Sequence, residues 1–377
     1  MRSHRLPAAV RCALGVLCGA LAPVVSACAQ APADTAVRVT FGGFADVYFA
    51  YDFGRPPAID RAFTTQAARH SEFNVNLAYV DAVLTGPRLR GRLAFQFGTA
   101  VQANYAGEPT VGALSGASVS RFIQEATIGY QVSPTVWIDG GVFFSPFGSE
   151  NWISRDNWTY TRSLIADYSP YYEAGIKATW QATPTLSAQL HVINGWQNIS
   201  ETNSDKAIGV RLDWKATPRL TLAYDGFAGN EQPDSLEARL RLFHDVIVKY
   251  NATDRLAFSA THDFGTQPRS AAQGGGVANW SGFAVLARFA FTPRLAVAGR
   301  VEGYDDPEQV IVATGGTRAP LRATGASVTV DVMPHPKLLW RSELRVLQNA
   351  GPLFPSRSAT GLSRTNTGLM TSLALTF

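Results

Sequence analysis

The scarcities of the chain narrow its class first. Of 377 residues only three are cysteines, and Cys12, Cys18 and Cys28 all fall near the start. Charged residues make up 16% of the chain, where a soluble domain carries about a quarter. Beyond the N-terminus no apolar run approaches the roughly 20 residues that a spanning helix needs, which excludes a helical membrane protein. Disorder is excluded by the opposite feature, since 21 Phe, 12 Tyr and 8 Trp cannot all remain solvated. Chemistry is also scarce. His70, His191, His244, His262 and His335 are scattered without metal-ligand spacing, no phosphate loop is present, and Gly361-Leu-Ser-Arg-Thr365 lacks the final glycine of a nucleophile elbow. No catalytic residue, metal or cofactor is expected.

The first 29 residues have the layout of a secretory signal peptide: Arg2, Arg5 and Arg11 precede an apolar run from Cys12 to Val25, and Ala27-Cys28-Ala29 forms a small-x-small cleavage site. The run is too short for a membrane anchor. Val25-Ser26-Ala27-Cys28 also fits a lipoprotein signal acylated at Cys28, so cleavage after Ala29 and acylation at Cys28 both stay open. Cleavage removes three Arg and no acid, leaving 30 basic against 29 acidic residues in 30–377. A nucleic-acid partner is not expected, because no basic excess remains to neutralise phosphates.

What is present is one unit, repeated. From Val37 onward, segments of alternating apolar and polar residues recur. In Lys206 to Lys215, Ile208, Val210, Leu212 and Trp214 share one face, and Gly209, Arg211, Asp213 and Lys215 the other. Period two with one apolar face is the mark of a β-strand. Short turns such as Gly86-Pro-Arg88, Thr183-Pro-Thr185, Thr217-Pro-Arg219 and Thr292-Pro-Arg294 alternate with longer polar loops over 54–72, 104–120, 145–171, 197–205, 230–237, 266–279, 306–320 and 349–365. Sixteen strands are predicted: 37–53, 73–85, 88–103, 121–132, 135–144, 172–181, 185–196, 206–216, 219–229, 238–251, 254–265, 280–292, 294–305, 321–333, 337–348 and 366–377.

An even number of long strands, with both ends of the repeat on the short-turn side, predicts an all-β fold. The form expected is a transmembrane antiparallel up-and-down β-barrel over residues 30–377, integral to a bacterial outer membrane. A secreted sandwich or propeller would carry more charge on its outer face and would not keep strict short/long alternation. Trp180, Trp214, Tyr250, Phe291 and Trp340 lie near short turns, and Trp196, Phe264 and Trp280 near long loops. They are expected as two interfacial belts facing lipid. Two departures stand out. Asp81 points to lipid if the phase of Phe73, Val75 and Leu77 continues, unless a bulge resets it, and His244 and His262 fall in outward phase.

Thr367 to Phe377 alternates Leu369, Leu373, Leu375 and Phe377 on one face and stops on an aromatic, which resembles the C-terminal assembly signal of outer-membrane barrels. Asp139-Gly-Gly-Val-Phe-Phe-Ser-Pro-Phe-Gly-Ser-Glu150 followed by Arg162-Ser163 and Gly175, the loop Asn194-Gly-Trp-Gln-Asn198, and the early Gly42-Gly-Phe-Ala-Asp-Val-Tyr-Phe-Ala-Tyr-Asp52 are similar to the beta-barrel porin type 2 family. Val142 departs from it, standing where that family usually has a basic residue. The resemblance implies a passive channel for small hydrophilic solutes and ions. Its implied partners are outer-membrane lipid, those solutes, the outer-membrane assembly machinery and further copies of itself in a homo-oligomer.

Two features would shape such a pore. Basic and acidic residues on the inward faces are close to parity, which predicts weak charge selectivity. The basic side includes Arg211, Lys215, Arg239, Arg241, Lys249, Arg341 and Arg345, with Arg300 among others, and the acidic side includes Asp46, Asp225, Asp245, Asp263, Glu302 and Glu343. Most of these charges are expected to pair across neighbouring strands. The long loop 145–171 holds Phe147, Trp152, Trp158, Tyr160 and Tyr168, too many rings to leave in water, together with Glu150, Arg155, Asp156, Arg162 and Asp167. It is expected to fold inward as a constriction, pack its rings on the wall and offer those five charges to the solute. A solvated surface loop is the plainer reading. Two other functions compete: a barrel hydrolase built around His191, and a substrate-specific transporter or adhesin, which would usually need a plug or an attached domain.

Overall fold

A computed structural model describes residues 36–377 apart from 317, 359 and 360. The expected signal peptide, with the choice between cleavage after Ala29 and acylation at Cys28, lies outside the described residues. The strands are β1 (Arg38–Asp52), β2 (Phe73–Thr85), β3 (Leu89–Phe97), β4 (Ile123–Ser133), β5 (Val136–Phe144) and β6 (Tyr172–Thr183). Then come β7 (Leu186–Ile193), β8 (Ala207–Thr217), β9 (Leu220–Asn230), β10 (Leu240–Asn251), β11 (Leu256–Pro268) and β12 (Val277–Thr292). The last are β13 (Leu295–Asp305), β14 (Arg322–His335), β15 (Leu338–Asn349), the two-residue pair β16 (Phe354–Pro355) and β17 (Leu362–Ser363), and β18 (Thr365–Thr376).

Every barrel strand pairs with its neighbours in sequence, and β18 closes on β1, so the sheet is a closed barrel with β16 and β17 set apart in the last long loop. Closure runs from Phe44 opposite Thr376 to Asp52 opposite Gly368. It is extended by Gly43 N donating to the Phe377 carbonyl at 3.2 Å and Phe377 N to that of Gly43 at 3.1 Å. Phe377 turns its ring outward over Gly43, where an added Cβ would stand 2.2 Å from the ring; glycine is the residue that leaves this space. The ladder therefore satisfies the backbone around the whole circumference, as hydrocarbon demands.

The period-two alternation sets the two surfaces. Ile176, Leu212, Val246, Val301, Val328 and Leu344 are exposed on the outside, and the belt near the short turns forms as expected, with Trp180, Trp214, Tyr250, Phe291 and Trp340 all exposed and Trp180 at 53%. The belt at the other end needs correction. Phe264 faces outward, but Trp280 is 2% exposed and packs inside with Trp196, their ring centroids 6.5 Å apart. Trp280 shares the phase of Ala284 and Leu286, both buried on the lumen side of β12.

The phase problem at Asp81 is resolved by a bulge. Asp46 of β1 stands opposite Leu77 and Val47 opposite Val75, so Asn76 is an extra residue in β2. Past it Asp81 turns inward, where it accepts from Arg92 Nε at 2.8 Å. His244 and His262 do face outward, and His244 Nδ1 lies 2.6 Å from the Tyr224 hydroxyl.

One predicted strand is too long. In place of 88–103, β3 stops at Phe97 and a helix α1 (Thr99–Tyr105) follows, burying Thr99, Ala100, Val101, Asn104 and Tyr105. The break lies at Gly98, whose φ is 134° and where a Cβ would meet the Asn76 carbonyl oxygen at 2.3 Å. Two further short helices, α2 (Ala117–Ser120) and α3 (Leu164–Asp167), lie in long loops. Gly98→Val is expected to cost about 1–3 kcal/mol through the forced dihedral alone. The expected result is a lower temperature for the loss of the compact band on unboiled denaturing gels, while a Gly107→Ala control, with open space at its Cβ, leaves it unchanged.

Candidate functional site

The inner wall is largely polar, with an apolar cluster that includes Phe227, Phe243 and Trp280, and the loop 145–171 anchors itself on both. The loop runs inside the barrel. At its root, Phe147 packs edge-on to Phe227 and Phe243, with centroids 6.0 and 6.1 Å away. Gly148 N donates to Asp225 at 3.1 Å, Ser149 Oγ meets Thr261 Oγ1 at 2.7 Å, and Lys249 Nζ reaches the Ser149 carbonyl at 3.3 Å. The first turn of the loop is thereby tied to β9, β10 and β11.

The chain then crosses to the opposite wall and descends. Asp46 accepts from Ser154 Oγ at 2.7 Å and from the Tyr160 hydroxyl at 3.2 Å. Arg341 donates to three loop carbonyls, those of Ser154 at 2.7 Å, Thr159 at 3.1 Å and Asn157 at 2.7 Å, while Asp331 holds its other edge at 2.6 Å. At the tip, the Arg155 guanidinium donates to the carbonyl of Pro336, a residue of the short turn between β14 and β15. The loop enters from the long-loop end and reaches the short-turn rim.

Its return is held by carboxylates. Glu343 accepts from the backbone amides of Tyr160 and Thr161 at 2.6 and 2.7 Å and from Thr161 Oγ1 at 2.6 Å. Glu302 accepts from Leu164 N, the first residue of α3, at 2.7 Å, and from Arg345 at 2.8 Å. Arg300, with no exposed side-chain surface, lies 3.2 Å from Glu302 and 3.4 Å from Glu343 and donates to the Thr161 carbonyl at 2.6 Å. The loop's peptide groups have no sheet to pair with, and charged wall residues take that place.

Of the five loop charges expected to face the solute, three do not. Glu150 accepts from Ser163 N at 3.0 Å and from the Ser163 hydroxyl. Arg162 is fully buried between Trp152 and Tyr171, its guanidinium 4.7 and 3.6 Å from their ring centres. Asp167 is buried too and accepts from Thr65 Oγ1; burial raises its pKa to about 6, against the opposing pull of Arg162. These groups bind the loop to itself and its surroundings because an isolated charge cannot be carried into a packed interior. Asp156 stays exposed, and Arg155 is half-buried at the rim.

The expected basic wall divides. Arg239 donates to Gln273 and Gln232, and Arg241 to Gln267 at 3.0 Å beneath Trp196 and Trp280, all at the long-loop end. Arg211 is taken up by Asp213 at 2.7 Å and Asp225 at 3.0 Å, Arg341 by Asp331, and Arg345 by Glu302. Lys215 and Lys249 remain exposed on the lumen side near the short turns. Asp46, Arg300, Glu302 and Glu343 were visible in the sequence as inward charges, but nothing in the pattern marked them as the loop's anchors. Nor did it show that Asp225, Asp245 and Asp263 stand side by side on β9, β10 and β11.

Comparisons with known proteins agree with this architecture. The model of a family described as "Putative beta-barrel porin-2, OmpL-like" matches residues 38–377. Among solved structures, the outer membrane channel DcaP of Acinetobacter baumannii superimposes with a TM-score of 0.61 at 13% identity, covering 93% of this chain and 100% of that one. An anion-selective porin from Comamonas acidovorans gives 0.58 at 13% identity, covering 91% and 100%. OmpT of Vibrio cholerae in its trimer form gives 0.57 at 8%, covering 91% and 100%. No curated protein matches the chain.

Arg341→Ala removes three hydrogen bonds to the loop and leaves Asp331 buried without its ion-pair partner, a change worth about 3–5 kcal/mol. The expected outcome is a barrel that still folds but in which trypsin cuts after Arg155, a bond spared in the wild type. Equal resistance in both proteins would mean that Arg341 does not hold the tip.

Proposed function

The chain belongs to the beta-barrel porin-2, OmpL-like family, and from that premise we propose that it is a passive diffusion channel of the bacterial outer membrane whose bore is set by the loop 145–171. A sixteen-strand barrel is wide enough to hold an aqueous passage. The observation that carries the reading is the course of the loop, which is hydrogen-bonded to β9 and β11 at its root, to β1 and β15 in its middle and to β13 on its return. A segment tied to opposite walls narrows the passage for any solute, and small hydrophilic molecules and ions are what a polar lumen admits.

The remaining parts of the proposal follow from single features. Catalysis is not assigned: His191, the residue a hydrolase would use, is buried beside Phe143 with the Gln189 amide oxygen 3.1 Å from its Nε2. Phe377, exposed at the end of the closing strand, is read as the mark that the outer-membrane assembly machinery recognises. Self-association is assigned to the outer face of β15, β18, β1 and β2, where Trp340, Leu373, Val47 and Phe73 border a groove of about 700 Å³.

Two measurements test the proposal. Deleting 150–165 is expected to raise single-channel conductance in a planar bilayer, and an unchanged conductance would mean that the loop is not the constriction. Truncating Phe377 is expected to lower the yield of folded barrel in the outer membrane severalfold while leaving refolding in detergent intact; equal yields in cells would remove its role in assembly.

A further inference from the structure

Counting formal charges in the lumen gives near parity, but counting the unpaired charges that are not buried does not. On the strands lining the passage opposite the loop tip, five carboxylates are committed to arginines, and Glu173, Asp245 and Asp263, with oxygens that lack partners among the described residues, are buried at 3% exposure or less. Asp139 takes both edges of the Arg90 guanidinium, Asp81 and Glu125 share Arg92, and Asp213 and Asp225 share Arg211. An ion pair at contact distance leaves mainly a dipole, whose field fades quickly in water; an unpaired charge keeps its full reach up to the screening length.

The cations behave otherwise. Lys177 on β6 faces the lumen directly opposite Asp139, yet that carboxylate is held by Arg90, and the ammonium instead lies 4.7 Å from the ring centre of Phe143. Lys215 on β8 and Lys249 on β10 share one rung, each opposite Thr221 of β9. Lys249 is also where the wall touches the root of the loop, through the Ser149 carbonyl at 3.3 Å. Arg288 on β12 extends this arc toward the short turns, in the inward phase of Ala284 and Leu286. Among the described residues, none of these four cations has a carboxylate within salt-bridge distance. The exposed acid of the loop, Asp156, follows Arg155 at the tip, so the two loop charges there are of opposite sign.

We propose that Lys177, Lys215, Lys249 and Arg288 form a one-sided track of unpaired positive charge that makes the channel prefer small anions over cations of the same size. The inference rests on the passive-channel reading and deepens it by naming the charge class of the solute. Lys249 is the central member, since it stands at the narrowing between loop root and wall. In bulk water a unit charge about 4 Å from an ion's path changes the local ion concentration roughly fivefold before screening, so a few such groups suffice to set a preference.

The test is the reversal potential of the full-length barrel in a planar bilayer under about a tenfold KCl gradient. The wild type is expected to be chloride-selective, more strongly so in dilute salt, where the Debye length grows from about 3 Å at 1 M to about 30 Å at 0.01 M. Lys177→Gln with Lys215→Gln and Lys249→Gln is expected to lower the chloride-to-potassium permeability ratio by about twofold or more, at the scale of the Coulomb figure above. Lys215→Glu alone, at a residue whose side chain makes no hydrogen bond to the loop, should shift the ratio in the same direction without changing the bore. A wild-type barrel that conducts but shows no chloride preference, or neutralised variants with an unchanged ratio, would overturn the anion track and leave the channel reading standing. Absence of conductance from the wild type would sink the channel reading itself.

Discussion

Everything in this molecule follows from the absence of water in the hydrocarbon layer. A strand exposed to lipid must find partners for all its amide and carbonyl groups, and only a closed ladder leaves none over. The joint between β1 and β18, prolonged to the backbone of Phe377, closes the sheet. Closure then dictates chemistry: with apolar side chains assigned outward, every second residue points into an enclosed volume far from bulk solvent. Such an interior is polar by pattern, and most of its arginines are paired with neighbouring carboxylates.

The inward loop and the charged wall answer each other. A loop carried into a barrel brings a row of backbone groups with no sheet to join. Asp46, Arg300, Glu302, Arg341 and Glu343 supply what the sheet does not, with carboxylates accepting from amides and guanidinium groups donating to carbonyls. Removing the loop would strand these groups as closely spaced buried charges, and removing the charges would strand the loop's peptide groups. Breaking such a network by deleting one partner is costly in either direction, about 3–5 kcal/mol for a buried pair. The loop is therefore held as firmly as the wall behind it.

Much of the fold was legible because a barrel strand obeys a period that sequence displays directly. The predicted spans for β2, β8 and β15 agree with the structure to within a residue or two at their ends. Failures occurred where a single residue broke the period. Gly98 ended β3 because its backbone passes within contact of Asn76, a long-range constraint that no local pattern announces. Trp280 was readable and misread: it lies an even number of residues from Ala284 and Leu286, so it belonged inside with them. Asp81 gave a true warning, since a charge out of phase signalled the bulge at Asn76. For the loop, its aromatic content revealed that it would be packed. Its charges misled, because Glu150, Arg162 and Asp167 serve the packing and not the solute.

The same distinction governs how a lumen reads its permeant ions. Residue type and inward phase, which sequence provides, count every charge equally. Geometry divides them into those cancelled at contact distance and those left to act on water. Arginine, with a planar fork that grips a carboxylate at both edges, is drawn into the first group, as Arg90 and Arg341 show. Lysine, a strongly hydrated point charge on a flexible stem, remains in the second when its opposite carboxylate is already taken, as Lys177 does beside Asp139. Arg90, Arg92, Arg211, Arg300, Arg341 and Arg345 are held by carboxylates of the wall, and the lumen lysines, with Arg288, are left without one among the described residues.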